Sequence, residues 1–252
     1  MRRIVLALAA CSALLLAVAA PASAITNGTA DGSDHPEVGA LVSPTQYSDG
    51  TWTYCSGTLI AARVFLTAAH CADEGGPAIV TFSTHYQAGD RVYTGTFHVD
   101  PAYPGPSSAP HDVAVVVFDE AVSGITPARL PAAGALERLP KDQPITSVGY
   151  GANTVTSGKT GGHDYLYDDV RRETVGTVNT VTTAWLKASM NPSLGNGGTC
   201  FGDSGGPNFL GTTNIVAATT ITGDSVCRAT NVDYRMDGAA ARAFLGAFVT
   251  LP

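Results

Sequence analysis

A glycine-rich hexapeptide at 202–207, Gly-Asp-Ser-Gly-Gly-Pro, sets one serine between small, turn-forming residues just after Cys200. Glycine permits backbone conformations that side chains forbid, and it lets other segments approach closely. A serine in such a turn presents its hydroxyl outward, and the N–H groups beside it can point into a common hollow. A nucleophile with an oxyanion hole needs this geometry, although the same residues also form ordinary surface turns. A catalytic role for Ser204 therefore requires a fold that brings a base close to it.

Two segments upstream supply candidates for that base and its partner. A serine hydroxyl is a weak nucleophile that needs a base, and the base needs an orienting group. His70 ends the apolar run that begins at Leu66, and Asp112 precedes the apolar, β-branched run 113–118. Such a run is typical of a fully buried strand. The order His70, Asp112, Ser204 predicts a nucleophilic site assembled from three distant segments.

Together these motifs resemble those of the chymotrypsin/trypsin-like serine peptidases. The matching sequences are Thr-Ala-Ala-His-Cys, Asp-Val-Ala-Val and Gly-Asp-Ser-Gly-Gly-Pro, and the resemblance runs from Ile25 to the C-terminus. It implies an all-β fold of two six-stranded antiparallel Greek-key β-barrels, with the active site between them and a C-terminal helix. The barrels are expected at about 25–135 and 136–252.

The resemblance also implies a role for each site residue. Ser204 is expected to attack a peptide carbonyl, His70 to act as the base, and Asp112 to orient it. The N–H groups of Gly202 and Ser204 would form the oxyanion hole. A triad of this kind works without a metal or cofactor, so none is expected. Two other functions stay open: a catalytically silent binding module of the same fold, and an esterase that uses the same triad.

The first 24 residues predict a secretory signal peptide. A basic start is followed by the apolar run 4–20 and the small-residue cleavage site Ala22-Ser23-Ala24. A membrane anchor is one alternative, although a run of 17 residues is marginal for crossing a bilayer. A lipoprotein signal ending at Cys11 is another, but the apolar run continues past that cysteine. The protein is therefore expected to be secreted.

Cleavage after Ala24 would leave Ile25-Thr26-Asn27-Gly28 as the new N-terminus, which resembles the family's Ile-Val-Gly-Gly. In that family the freed amine pairs with the aspartate before the nucleophile, here Asp203. The resemblance therefore implies an activating ion pair between Ile25 and Asp203. The hypothesis is that signal peptidase makes this terminus directly. The alternative is that Ile25 is an ordinary buried strand residue.

Four cysteines remain after that cleavage, and four cysteines allow three pairings. In a secreted chain they are expected to form disulfides. The family pattern implies Cys55–Cys71 and Cys200–Cys227, which would anchor the base and the nucleophile.

Composition restricts the partners. The formal net charge of −7 argues against nucleic acid and anionic membrane surfaces. A monomer acting on protein or peptide substrates is expected. The remaining histidines considered are not spaced as metal ligands, so they are interpreted as surface or turn residues; they are His85, His98, His111 and His163.

Substrate preference is expected to depend on residues near Gly198. Trypsin-like members carry an aspartate six residues before the nucleophile, and Gly198 occupies that place here. With Thr199 and Gly223 completing the pocket, apolar or small side chains are expected before the scissile bond. The alternative is that Asp224 or Asp233 reaches the pocket from its wall.

One edge of the site departs from the family. The segment 220–223, Thr-Ile-Thr-Gly, replaces the family's Ser-Trp-Gly strand. The sequence therefore leaves open both the support of Asp112 and the strand that pairs with substrate.

Alternating and buried apolar patterns predict the regular elements. The Ala-, Leu- and Phe-containing segment 238–249 predicts a C-terminal helix, 124–141 the connection between the two halves, and 153–162 a mobile loop. The segment 145–151 is expected to open the second half, and the predicted strands are 38–42, 54–60, 64–68, 79–82, 91–99, 113–118, 171–181 and 215–221.

Overall fold

The computed structural model describes residue 25 and the ranges 28–74, 77–105, 110–158 and 161–252. The predicted signal peptide at 1–24 lies outside these residues. No helix within them is long and apolar enough to cross a membrane.

The first half of the chain forms a closed antiparallel barrel of six strands. A short strand, β1 (Thr29–Ala30), precedes it. The barrel strands are β2 (Val38–Val42), β3 (Thr53–Ala61), β4 (Val64–Thr67), β5 (Ala78–Thr81), β6 (Val92–Val99) and β7 (Ala114–Phe118). Their order is β2-β3-β4-β7-β6-β5, and β2 pairs with β5 to close the ring. Phe65 and Phe118 fill its centre, with ring centroids 6.0 Å apart.

The second half forms the other barrel. Its segments are β8 (Pro144–Gly149), β9 (Thr154–Ser157), β10 (His163–Leu166), β11 (Arg172–Val181), β12 (Trp185–Ser189), β13 (Pro207–Leu210), β14 (Val216–Gly223) and β15 (Thr230–Arg235). The ring runs β8-β11-β12-β15-β14-β13 and closes where β13 pairs with β8. Strand β1 extends the sheet beside β11. A helix, α1 (Ala239–Leu245), follows. The predicted fold of two six-stranded barrels and a C-terminal helix is confirmed.

A short segment before β11 fastens the second barrel to the first. The buried Asp169 carboxylate accepts hydrogen bonds from the amides of Trp52 and Thr53, each at 2.9 Å. The guanidinium of Arg171, only 1% exposed, donates to Val38 O at 3.0 Å and to Asp31 Oδ2 at 2.7 Å. Because a buried charge must be paired and hydrogen-bonded, these contacts specify how the barrels meet.

Two predicted segments differ from the structure. The segment 153–162 contains strand β9, which pairs with β10 as a hairpin, because β-branched residues at 154–156 favour extended backbone. The predicted helix 238–249 is shorter, at 239–245, and ends at Gly246. The sequence patterns do not identify strands β1, β8, β10, β12, β13 and β15.

Candidate active site

His70 and Asp112 meet at one end of the first barrel. His70 lies in a 3₁₀ helix, Ala69–Glu74, directly after β4, and Asp112 lies just before β7. The two meet because β4 and β7 are paired neighbours. His70 Nδ1 donates to Asp112 Oδ2 at 2.8 Å, and the His70 amide donates to Asp112 Oδ1 at 3.0 Å. The Asp112 side chain is 3% exposed. This bond leaves Nε2 as the ring nitrogen available for proton transfer.

A second histidine–aspartate pair holds the turn that carries Asp112. His111 has a left-handed backbone, with φ of 77°, and its Nδ1 lies 2.8 Å from Asp100 Oδ2. A non-glycine residue in this region is strained and persists where its surroundings hold it. The Asp100 amide also donates to Val113 O at 3.1 Å. The sequence predicts His111 only as a surface or turn residue and gives no sign of its contact with Asp100.

Ser204 enters the site from the second barrel on the turn before β13. The turn packs closely against the first barrel: the Ser56 amide donates to Ser204 O at 2.8 Å, and Ser56 Oγ donates to Gly202 O at 3.0 Å. Gly205 has φ of 81°, and a Cβ there would overlap Thr67 Oγ1. Glycine is required at 205 because the backbone touches the segment that leads to His70.

The amides proposed as the oxyanion hole are free of competing bonds. Across the described ranges, neither Gly202 N nor Ser204 N donates a hydrogen bond to the protein. Gly202 has φ of 94°, which turns its peptide groups relative to an ordinary strand. Gly202 and Ser204 both line the pocket that contains His70, so their N–H groups stay candidates for the oxyanion hole.

Asp203 belongs to the same turn, and its side chain is wholly buried. Its Oδ2 accepts a hydrogen bond from the Cys200 amide and its Oδ1 from the Gly151 amide, each at 2.8 Å. Burial raises the pKa of Asp203 to about 7 despite these two bonds. The predicted ion pair with Ile25 is not formed in the intact chain, because the Ile25 nitrogen is part of a peptide bond. Ile25 itself is wholly buried.

Both expected disulfides are present. Cys55 bonds to Cys71, next to His70, and Cys200, close to Ser204 in sequence, bonds to Cys227. The disulfides tie the base-bearing and nucleophile-bearing segments to neighbouring strands or loops.

His70 and Ser204 line one pocket of about 480 Å³. Of the predicted pocket residues, Thr199 and Gly223 line it. Gly198 is not among the described lining residues and packs against Met190 instead. Sequence reasoning does not identify Met190, because its separation from Gly198 carries no motif.

The two acids considered as pocket groups behave differently. Asp224 lies on the pocket lining. Burial opposes its charge, but hydrogen bonds from the amides of Thr230, Arg228 and Ala229 hold its pKa below the usual range. Asp233 is wholly buried inside the second barrel, where burial raises its pKa well above the usual value. It is absent from the described lining of the pocket.

The edge left open by the sequence is a strand with one irregularity in its pairing. Thr220, Ile221, Thr222 and Gly223 complete β14, with a register shift between Thr220 and Thr222. Thr220 Oγ1 accepts a hydrogen bond from Asn208 Nδ2 at 2.9 Å. Within the described chain, Thr220 makes no hydrogen bond to Asp112, so the support of this aspartate comes from His70.

Two described groups of side chains have ligand atoms within 4.8 Å of one another. One contains Cys55 and Cys71 with His70, and its cysteines are consumed by their disulfide. The other is Asp31, His35 and Glu173, in which Asp31 is already paired with Arg171. Neither set offers a free group of ligands for a metal ion.

A family model described as Trypsin matches residues 33–238. The chain belongs to the trypsin family. The resemblance inferred from the three motifs is thereby confirmed, and the family match covers most of both barrels.

Solved structures of similar fold agree with this membership. HL collagenase has a TM-score of 0.66 at 18% identity, covering 86% of this chain and 95% of that one. Human heparin binding protein has a TM-score of 0.67 at 17% identity, covering 88% and 95%. The Vibrio cholerae VesB protease has a TM-score of 0.65 at 18% identity, covering 88% and 66%. At these identities the likeness establishes the fold alone. No curated protein sequence matches the chain significantly.

Proposed function

We propose that this trypsin-family chain is a secreted serine endopeptidase that hydrolyses peptide bonds through an acyl-enzyme. The observation that carries the proposal is the bond between His70 Nδ1 and Asp112 in a pocket that His70 shares with Ser204. Because the carboxylate holds Nδ1, the imidazole is kept in the tautomer that leaves Nε2 free to act as the base. The two disulfides are consistent with an extracellular site of action.

In the proposed reaction, Ser204 Oγ attacks the carbonyl carbon of the scissile bond while His70 Nε2 takes its proton. The negative oxygen that forms is stabilised by the amides of Gly202 and Ser204. His70 then gives the proton to the leaving amine, and the acyl group stays on Ser204. Water, activated by His70, hydrolyses the ester and restores the enzyme. Asp112 stabilises the imidazolium throughout.

The proposed substrates carry an apolar or small side chain before the scissile bond. Thr199, Ile221 and Gly223 line the pocket, and none of them is charged. Asp224 is the acid on the lining, but three backbone amides already bind its carboxylate. A Lys or Arg side chain would therefore meet only a carboxylate already held by its own loop, and no other acid is on the described lining.

We also propose that maturation removes residues 1–24 and frees the Ile25 amine. Buried Asp203 is the acid that this amine would join. Pairing would keep the carboxylate ionised and stabilise the turn that carries the oxyanion-hole amides. We propose that the boundary between the two barrels lies near residue 135. We also propose that the mature protein acts as a monomer.

A silent binding module is the second candidate. The observation that favours it is the hydroxyl of Thr220, which bonds to Asn208 and gives Asp112 no support. One neighbour is named heparin binding protein. The net charge of −7 would repel a polyanion such as heparin, so a binding role would need another ligand. An esterase is the third candidate, because the same triad cleaves esters.

The test compares the mature protein with Ser204→Ala and with a matched control, Ser193→Ala, whose serine is exposed on a short 3₁₀ helix. Each is incubated with a denatured mixed proteome, and the new termini are mapped by mass spectrometry. A fluorophosphonate probe reports the serine directly.

We expect cuts after apolar or small residues by the parent and by Ser193→Ala, and none by Ser204→Ala. Undiminished cleavage by Ser204→Ala would refute the assignment. Cuts confined to Lys or Arg would keep the enzyme and overturn the pocket assignment. Ester hydrolysis without peptide cleavage would identify an esterase, and neither cleavage nor probe labelling would identify a binding module.

A further inference from the structure

Met190 is a buried residue next to Gly223, which lines the pocket. It follows strand β12 and is 1% exposed, so its side chain is enclosed. Its amide donates to Ala229 O at 3.0 Å, which fixes its backbone against the segment that enters β15. This position puts an apolar thioether at the end of the second barrel that also carries Ser204.

The side chain of Met190 occupies the direction in which a side chain at 198 would project. A Cβ on Gly198 would overlap Met190 Sδ and Cγ and would lie 2.6 Å from Met190 Cβ. Because the Met190 Cβ is itself in the way, rotating the end of the methionine cannot relieve the overlap. Glycine at 198 and methionine at 190 therefore form one packed unit.

The same thioether reaches a residue of the pocket wall. A Cβ on Gly223 would lie 3.6 Å from Met190 Cε, an ordinary contact distance. Gly223 and Thr199, the neighbour of Gly198, both line the pocket. Met190 thus packs against Gly198 and behind Gly223, although neither Met190 nor Gly198 is itself among the described lining residues.

We propose that Met190 is a specificity-determining residue that closes the inner end of the pocket in place of a side chain at 198. This rests on the proposed peptidase function, of which it names the substrate class. Methionine is apolar and uncharged, so the inner end accepts short apolar side chains and offers nothing to a cation. An aspartate at 198 would have no room while Met190 is present.

The first experiment measures kcat/KM for peptides that differ only in the residue before the scissile bond. Met190→Ala removes three heavy atoms, and a single methylene changes discrimination in an apolar pocket by about 10–200-fold. We expect the ratio for Phe over Ala substrates to rise by at least about tenfold. Met236→Ala is the matched control, because Met236 is also wholly buried in this half of the chain but is not among the side chains nearest to Gly198 or Gly223. It should leave the ratio unchanged.

A ratio that stays within about threefold of the parent in an active Met190→Ala variant would overturn the assignment. If that variant does not fold, Met190→Val removes less volume and is held to the same criterion. A further variant, Gly198→Asp with Met190→Gly, which also removes the Met190 Cβ, is expected to cleave after Lys or Arg, whereas Gly198→Asp alone is expected to fold poorly.

The second experiment needs no catalysis. In a Ser204→Ala background, urea unfolding is measured for Gly198→Ala, Met190→Ala and the double variant. Because the two positions are in contact, we expect non-additive effects, with the double variant more stable than Gly198→Ala alone. A Gly198→Ala variant as stable as its parent would overturn the packing argument. If the two substitutions have non-additive effects on unfolding but the protein with Ser204 cleaves no peptide, the packing argument holds and the proposed peptidase function is wrong.

Discussion

Replacing Asp203 by Asn should change how stability depends on pH, by an amount that the structure allows us to work out. The Asp203 carboxyl is wholly buried, and burial raises its pKa from 3.8 to about 7. The folded chain therefore holds this proton more tightly than the unfolded chain does. The corresponding stability is fully present below about pH 4 and is lost as the pH rises through about 7. About three pKa units correspond to roughly 4 kcal/mol.

This loss should depend on the state of the Ile25 nitrogen. In a protein with a short extension before Ile25, the nitrogen stays in a peptide bond and offers no charge. We expect this form to lose stability between pH 5 and pH 8, with Asp203→Asn removing most of that slope. In a protein that begins at Ile25, the free amine should pair with the carboxylate and offset the loss.

The assay is urea unfolding followed by tryptophan fluorescence at pH 5, 6, 7 and 8. All four proteins carry Ser204→Ala so that none digests itself. Other titrating groups, such as the His35 and Asp31 pair, are common to the parent and to Asp203→Asn and cancel in the difference. Parallel pH profiles for the parent and Asp203→Asn in the extended form would refute the burial argument. Equal slopes in the extended and Ile25 forms would refute the ion pair.

Two further predictions concern the contacts that hold the site together. Arg171→Met should lower the free energy of unfolding, measured in urea, by about 3–5 kcal/mol, because it leaves the buried Asp31 carboxylate without its guanidinium partner. Adding Asp31→Asn should recover part of this loss. A loss below about 1 kcal/mol would contradict the role of Arg171 between the barrels. Replacing Cys55 and Cys71 by Ala removes a disulfide that spans 16 residues and should lower the free energy of unfolding by roughly 3 kcal/mol. Peptidase activity should then fall at temperatures where the parent is still active. An unchanged midpoint of thermal unfolding would contradict this expectation.

Local patterns are sufficient for much of the fold. The sequence predicts the strand Val38–Val42 with its observed bounds, and the buried run 113–118 matches β7 to within one residue. The prediction of a loop at 153–162 is wrong for Thr154–Ser157, which form strand β9, because glycines at the end of a segment mark a hairpin turn as readily as a loop. Strand β15 escapes prediction because Thr230–Arg235 contains Asn231, Asp233 and Arg235, which are polar residues. They are buried in the second barrel, where the side chains of Thr199 and Asn208 donate to Asn231 and Asp233, and the Thr182 carbonyl accepts from Arg235.

The candidate site shows the same division. His70, Asp112 and Ser204 stand in short motifs whose chemistry is legible in the sequence, and so do the four paired cysteines. The contact of Met190 with Gly198 and the pairing of His111 with Asp100 leave no comparable pattern. Each of those contacts forms only because the tertiary fold brings two separate segments of the chain together.

The sequence by itself determined which candidate catalytic residues this protein carries, because a glycine-rich turn is specified by a few neighbouring residues. Only the tertiary structure decided how the parts are held and which residues line the pocket. Arg171 reaches Val38 across 133 positions, and Ser56 Oγ reaches Gly202 O across 146. Such contacts arise when two closed barrels bury their polar groups against each other, and a buried polar group takes whichever partner the closed fold brings within reach.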